Sequence, residues 1–330
     1  MIDNLEVALR WLGTPHGICG VENTVTMSQD HSSASSYLPS STEVNSRSII
    51  SVVVLCGSAV LSTIHDAFVL ATTKGTICPI LVTGGIGHST THLIRALVSD
   101  EANAHREQWI PNWNRFLTRY NIPGDAPEDD VARLLKHGRS EASWISEILA
   151  LCFEFPEDNI WLEEESTNCG ANAQMTLQLL PEKLDSYLSR YSAVAAPAPL
   201  PTQMVQLLII QDPTMQRRSI LSFLRHMELL GNNADHLPPY QWCLTSVDTN
   251  AAQNKDLTAS GVAKAFGYNL ERLVSLVVGE HQRLVPGPSG YGPLGKHFIA
   301  DGGEIPPEVE AAFVALKVEH GVDGRTIVTV

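Results

Sequence analysis

The residues best suited to chemistry fall in four short polar segments, each directly after an apolar run rich in Val, Ile and Leu. The first is Gly57-Ser58, after Ser48-Ile-Ile-Ser-Val-Val-Val-Leu-Cys56. The second is Gly84-Gly85-Ile86-Gly87-His88-Ser89-Thr90, after Pro79-Ile-Leu-Val-Thr83. Glycines there permit positive φ and close backbone approach, and Ser89 or Thr90 can cap the next helix and leave its N–H groups facing an anion. The spacing falls short of G-x-G-x-x-G, so a plain tight turn accounts for it equally well.

The third segment is Glu163-Glu-Glu-Ser-Thr-Asn-Cys-Gly-Ala-Asn172. Ser166, Thr167, Asn168 and Asn172 suit a ribose or an amino-acid carboxylate, and they suit an Asx turn with a helix cap just as well. Cys169 is a nucleophile by type but has no His near it in sequence. The fourth is Gln211-Asp212-Pro213-Thr214-Met215-Gln216-Arg217-Arg218. Asp212 suits a ribose, an amine or a metal, with Gln211 and Thr214 beside it, and Arg217 or Arg218 can grip a carboxylate or phosphate with two hydrogen bonds. The competing account is an N-capping Asp, a Pro in the first helical turn and a solvated arginine pair. Glu141, in Gly138-Arg-Ser-Glu141, is either a helix-dipole acid or a pocket carboxylate. Of twelve histidines, only His88 is expected in the pocket, and no H-E-x-x-H pairing predicts a metal site.

The intervening elements predict how these segments meet. Strand, glycine turn and helix alternate from residue 48 onward, which is the pattern of a parallel βαβ sheet, and ligands in such sheets sit at the carboxyl ends of the strands. The expected fold is α/β: a Rossmann-like parallel sheet flanked by helices, with a smaller, mostly helical C-terminal part. Residues 1–48 read as a helix over 3–13 and a Ser/Thr-rich tether from Thr24 to Ser48. Residues 49–230 read as the Rossmann-like domain, interrupted at 99–137 by a polar insertion over the sheet edge or pocket mouth. Residues 231–330 complete the pocket, with a strand near 240–247, helices near 268–282 and 307–319, and an edge strand over Thr326 to Val330.

Composition narrows the classes. With 330 residues, 44% hydrophobic and 18% charged, the chain can bury a large core. A formal charge of −14 disfavours nucleic acid, whose phosphates demand Lys/Arg surfaces. Six scattered cysteines without CxxC pairs read as free thiols. Acidic residues at the N-terminus oppose a signal peptide, and no apolar run reaches the roughly 20 residues of a membrane span. A cytoplasmic protein with a small-molecule ligand, no nucleic-acid partner and no membrane partner is expected; oligomeric state is not legible.

In this order the loops resemble the SanA/ElyC/YdcF family, and are most similar to its bacterial YdcF branch. The matching pieces are Gly57-Ser-Ala-Val60 with Thr63-Ile64, Gly84-Gly-Ile-Gly-His-Ser-Thr-Thr91, Gly138-Arg-Ser-Glu-Ala142, Ser166-Thr-Asn-Cys-Gly170 with Asn172-Ala173, Gln211 to Arg218, Gly231-Asn-Asn-Ala-Asp235 and Gly290-Tyr-Gly-Pro293. The resemblance implies a Rossmann-like domain and binding of S-adenosylmethionine, without a known reaction. Ser58 stands where YdcF has Asn, Ala171 stands where it has Glu, and the 24–48 and 99–137 segments are additions. The membrane anchor of the SanA and ElyC branches has no counterpart here.

On this reading the 84–90 and 166–172 loops hold the cofactor, while Asp212, Glu141 and Arg217 or Arg218 orient its amino-acid end and an acceptor for group transfer. The alternatives are a hydrolase or phosphoryl-transfer enzyme with Asp212 as base, and a non-catalytic ligand sensor.

Overall fold

The computed structural model describes residues 2–13, 21–26, 49–73, 77–98, 109–122, 127–191, 203–231, 240–248 and 269–321. Six parallel strands form its one sheet: β1 (Val21–Thr26), β2 (Ile49–Cys56), β3 (Ile80–Thr83), β4 (Ile160–Glu163), β5 (Gln203–Ile210) and β6 (Tyr240–Asp248), in the order β1-β6-β5-β2-β3-β4. β2 shows why the run became a central strand. Val52, Val54 and Cys56 enter one apolar layer while Val53 and Leu55 enter the other, so the period of two satisfies both faces.

The chain lays β3 and β4 to one side of β2, then crosses back to place β5 and β6 on the other. That reversal makes the boundary between β2 and β5 a topological switch point, the usual crevice for a ligand in an open parallel sheet. The expected α/β fold with a Rossmann-like parallel sheet is present.

Ten helices are described. α2 (Ser62–Thr72), α3 (His88–Val98), α4 (Trp113–Tyr120), α5 (Pro127–Leu135) and α6 (Glu141–Phe153) bury their apolar sides on one face of the sheet. α1 (Ile2–Gly13), α7 (Cys169–Tyr191), α8 (Gln216–Gly231), α9 (Leu270–Leu284) and α10 (Pro307–His320) cover the other. Among the described residues no helix is long and apolar enough to cross a membrane.

Two segments differ from the sequence expectation. Thr24 to Thr26, read as the start of the tether, belong to a strand instead, because Val21–Thr26 pairs with β6 at the sheet edge; Val21, Thr24, Val25 and Thr26 are β-branched, and one neighbour suffices to dock an edge strand. Within the segment read as an insertion over 99–137, the described residues carry two helices, α4 and α5, whose apolar sides join the layer of α2, α3 and α6. Trp113 stacks on Phe116 at 4.6 Å, and Phe116 and Tyr120 meet Trp144 of α6 at 6.0 and 5.0 Å. Asn112 Nδ2 donates to the Cys152 carbonyl at 3.0 Å, tying the entry of α4 to the end of α6. The rest of the tether, the Ala193 to Pro201 linker and the terminal strand expected over Thr326 to Val330 lie outside the described residues.

Candidate functional site

The carboxyl ends of β2, β3 and β4 are joined through backbone. Gly57 N–H donates to Thr83 O (2.7 Å), Gly84 N–H to Glu163 O (3.0 Å) and Gly85 N–H to Ser166 O (2.6 Å). Helix α6 docks on the same turn, with Glu141 N–H on Gly85 O (3.2 Å) and Ala142 N–H on Gly84 O (2.9 Å). These contacts explain the glycines. Gly84 has φ 153°, and a Cβ on Gly85 would lie 2.6 Å from Ser166 O. The turn is glycine-rich because three strand ends and a helix start converge on it, which is the tight-turn account carried to its physical cause.

Glu141 is placed by this convergence. Ser140 caps α6 by accepting from Ser143 N–H (2.9 Å) and donates to Glu164 Oε1 (2.7 Å), which sets Glu141 as the first helical residue. Its side chain then turns inward over the strand ends. Glu141 is 4% exposed, its Oε1 accepts from Thr90 Oγ1 (3.0 Å), and its Oε2 fills the space left by the missing side chain of Gly57. Burial holds the carboxyl above the usual carboxylate range, and hydrogen bonds from Ser89 and Thr90 pull the other way. Glu141 is thus both an acid in the first turn of α6 and a carboxyl buried over the strand ends. Thr90 also accepts from Gly87 N–H (2.8 Å), so its hydroxyl supports Glu141 and the turn together. His88 opens α3.

Sequence reasoning passed over Glu163. Its carboxylate accepts from the hydroxyls of Thr83 and Ser166, from Glu165 N–H (2.8 Å) and from Ser166 N–H (2.9 Å), and so closes the β4 loop from within. The available signal was the acid ending a strand with a Ser three residues on, a spacing that invites a side chain to cap its own loop. Ser166 is therefore tied to Glu163. Asn168 Oδ1 accepts from Ala171 N–H (3.0 Å) and caps α7, the helix-cap account of that residue. Thr167 is exposed. Asn172 is buried and hydrogen-bonds the Cys56 thiol, which burial pushes well above its ordinary value. Ser58 is buried and accepts from Val60 N–H (2.9 Å).

Across the switch point, β2 and β5 run in register with Leu55 opposite Ile210, so Gly57 and Asp212 leave the sheet side by side. Asp212 is fully buried; its Oδ1 accepts from Thr214 N–H and Thr214 Oγ1, both at 2.8 Å, while its own N–H donates to Gln211 Oε1 (2.7 Å). Thr214 thus holds the carboxylate at the mouth of β5, and Gln211 holds the backbone beneath it. The two arginines that follow are not a solvated pair. Arg218 makes a two-point ion pair with Glu280 of α9 (2.6 and 2.9 Å), which also takes Arg283 Nη1 (3.1 Å). Burial works to discharge Arg218, but the neighbouring Cys169 and Glu280 outweigh it and hold the guanidinium charged. Arg217 is 4% exposed, its Cζ lies 4.1 Å from the Trp11 ring centre, and Nη2 donates to Gly302 O (3.2 Å). Burial lowers it to about 10. They are buried because α1, α9 and the 300–306 segment fold over the start of α8, a tertiary effect that no local pattern announces.

Two buried carboxyls thus lie past the ends of the neighbouring strands β2 and β5, Glu141 packed against Gly57 and Asp212 two residues beyond Ile210. Among the described residues, no group of three or more His, Cys, Asp or Glu is arranged to hold a metal ion. The five described cysteines are free thiols. No family model matches the chain.

Proposed function

We propose that this protein binds S-adenosylmethionine at the β2/β5 crevice as a cytoplasmic, YdcF-like protein, and that it is an enzyme using that cofactor for group transfer to a small acceptor. The observation that carries the reading is the Glu141 carboxyl, buried over Gly57 beside the fully buried Asp212 at the switch point. A sulfonium is a compact cation, and a carboxylate in a low-dielectric crevice attracts it far more strongly than one in water. A nucleoside has the shape that carboxyl-end crevices of parallel sheets accept, and a carboxylate there suits ribose hydroxyls.

The division of work follows from the hydrogen bonds. Ser89 and Thr90 orient the Glu141 carboxyl, Thr214 orients the Asp212 carboxylate, and Gln211 fixes the Asp212 backbone. Because a sulfonium is already an activated donor, such a site works mainly by holding donor and acceptor in line. Calorimetry on freshly purified protein tests the reading: S-adenosylmethionine or S-adenosylhomocysteine should bind, and Glu141→Gln should weaken S-adenosylmethionine at least tenfold. Absence of binding by either nucleoside to wild-type protein overturns it.

A further inference from the structure

The two arginines after Asp212 have opposite states of satisfaction. Arg218 is neutralised by Glu280 through two hydrogen bonds. Arg217, one residue earlier in the first turn of the 16-residue helix α8, spends a single donor on Gly302 O, and its Nε and Nη1 are buried with no hydrogen-bond partner. A buried cation with open donors is costly, and its donors call for a partner: a bound ion, a ligand group or a buried water. The face of the guanidinium is already covered by the Trp11 ring, 4.1 Å from Cζ. Stacking leaves the in-plane N–H groups free, which is the geometry in which arginine takes a carboxylate or phosphate.

The surroundings hold this arrangement rigidly. Trp11 meets Phe313 of α10 edge-on at 6.0 Å, and the 300–306 segment is pinned to α8 by Ala300 N–H on Leu221 O (3.0 Å). Arg217 lies in the turn of α8 that directly follows the Asp212–Thr214 loop, so it belongs to the carboxyl edge of the sheet and its charge adds to the positive end of the helix.

We infer that Arg217 is an oxyanion subsite, seating a carboxylate or phosphate group of a bound small molecule on Nε and Nη1 with Trp11 as its wall. This goes beyond the sulfonium reading: it assigns an anionic group to the first turn of α8 whatever else is bound. It also separates the two arginines, giving Arg217 to ligand and Arg218 to structure.

Inorganic phosphate and acetate serve as probes, followed by calorimetry and by tryptophan fluorescence. Wild-type protein should bind at least one of them saturably, with the fluorescence change abolished in Trp11→Phe. Arg217→Met, which keeps the stack on Trp11 but removes the donors, should bind at least tenfold more weakly. Arg217→Lys, which keeps the charge and loses the planar fork, should also weaken binding, and it serves as the deciding variant if the Met substitution does not accumulate. Tighter acetate identifies a carboxylate group, and tighter phosphate a phosphoryl group. Loss of nucleoside binding with anion binding retained counts against the sulfonium reading and not against this one. The subsite is overturned if neither anion binds wild-type protein, the donors then being met by buried water, or if Arg217→Met binds as tightly as wild type.

Discussion

A Cβ on Gly57 would lie 2.2 Å from Oε2 of Glu141 and 3.1 Å from its Cβ. The glycine at the end of β2 and the first residue of α6, 84 positions apart in sequence, therefore share one volume. Glu141 can take its inward conformation only because Gly57 has no side chain. Gly57→Ala should drive the carboxyl off Thr90 and out of the strand-end crevice. The expected cost is about 1–3 kcal/mol of stability, the range for overpacking, with nucleoside binding lost. Adding Glu141→Ala should restore much of that stability and none of the binding. A double-mutant cycle in urea checks this: additive losses would show that the two side chains do not compete for space.

Glu141→Gln should separate stability from function. The folded-state carboxyl is raised by burial above its value in the unfolded chain, so the native state holds its proton more tightly. Its stabilising contribution is complete below the unfolded value near 4.5 and is lost as pH rises through the folded value. Glutamine keeps an acceptor for Thr90 and has no proton to lose. The variant should match or exceed wild type in melting temperature at neutral pH and show a flatter rise in stability on acidification from neutrality toward 4.5. Its nucleoside affinity should fall. Equal pH slopes in the two proteins would remove Glu141 as the titrating group.

The glycines of the second loop should differ sharply in tolerance. A Cβ on Gly85 meets backbone, Ser166 O at 2.6 Å and Glu164 O at 2.7 Å, whereas the nearest atom to one on Gly87 is Thr167 O at 3.8 Å. Backbone cannot rotate away as a side chain does, so Gly85→Ala should cost more than about 2 kcal/mol by separating β3 from the β4 loop. Gly87→Ala should stay within about 0.5 kcal/mol of wild type, as for an unconstrained site. Thermal melts of the pair check the contrast, and similar melting temperatures would refute it.

What the sequence disclosed follows from the range of the forces involved. β2 through β5 were legible because β-branched runs closed by Gly or a polar turn are local signals, and their buried, two-faced role leaves little choice of structure. Gly57, Gly84, Glu141 and Asp212 were singled out correctly as strand-end or helix-start residues, since those positions are set within a few residues. Partners were not legible. Glu163 was missed because its four donors come from β3 and from its own loop, and Ser166 and Asn168 read equally as ligand groups until those bonds placed them. The helices α4 and α5 inside the segment read as a polar insertion over 99–137 were not legible as packed elements, because anchors such as Phe116 and Tyr120 are sparse along the chain and find Trp144 only in three dimensions.

Arg218 and Glu280 supply the test of an ion pair that binds α9 to α8. Both side chains are nearly sealed from solvent, at 12% and 2% exposure, and they meet through two hydrogen bonds, with Arg283 on the same carboxylate. A buried pair repays its desolvation only while both partners are present. Arg218→Met should leave Glu280 facing an apolar wall with only Arg283 to offset it, at a cost of about 3–5 kcal/mol. Glu280→Leu should cost a similar amount by stranding Arg218. The double variant, with two apolar groups of matching bulk, should recover most of the loss, because neither charge is then left buried alone. Urea denaturation of the four proteins measures the coupling; a double variant as unstable as the sum of the singles would mean that the pair acts through other partners. Because Arg218 is assigned to structure, the double variant should keep its affinity for phosphate or acetate, whereas Arg217→Met should lose it.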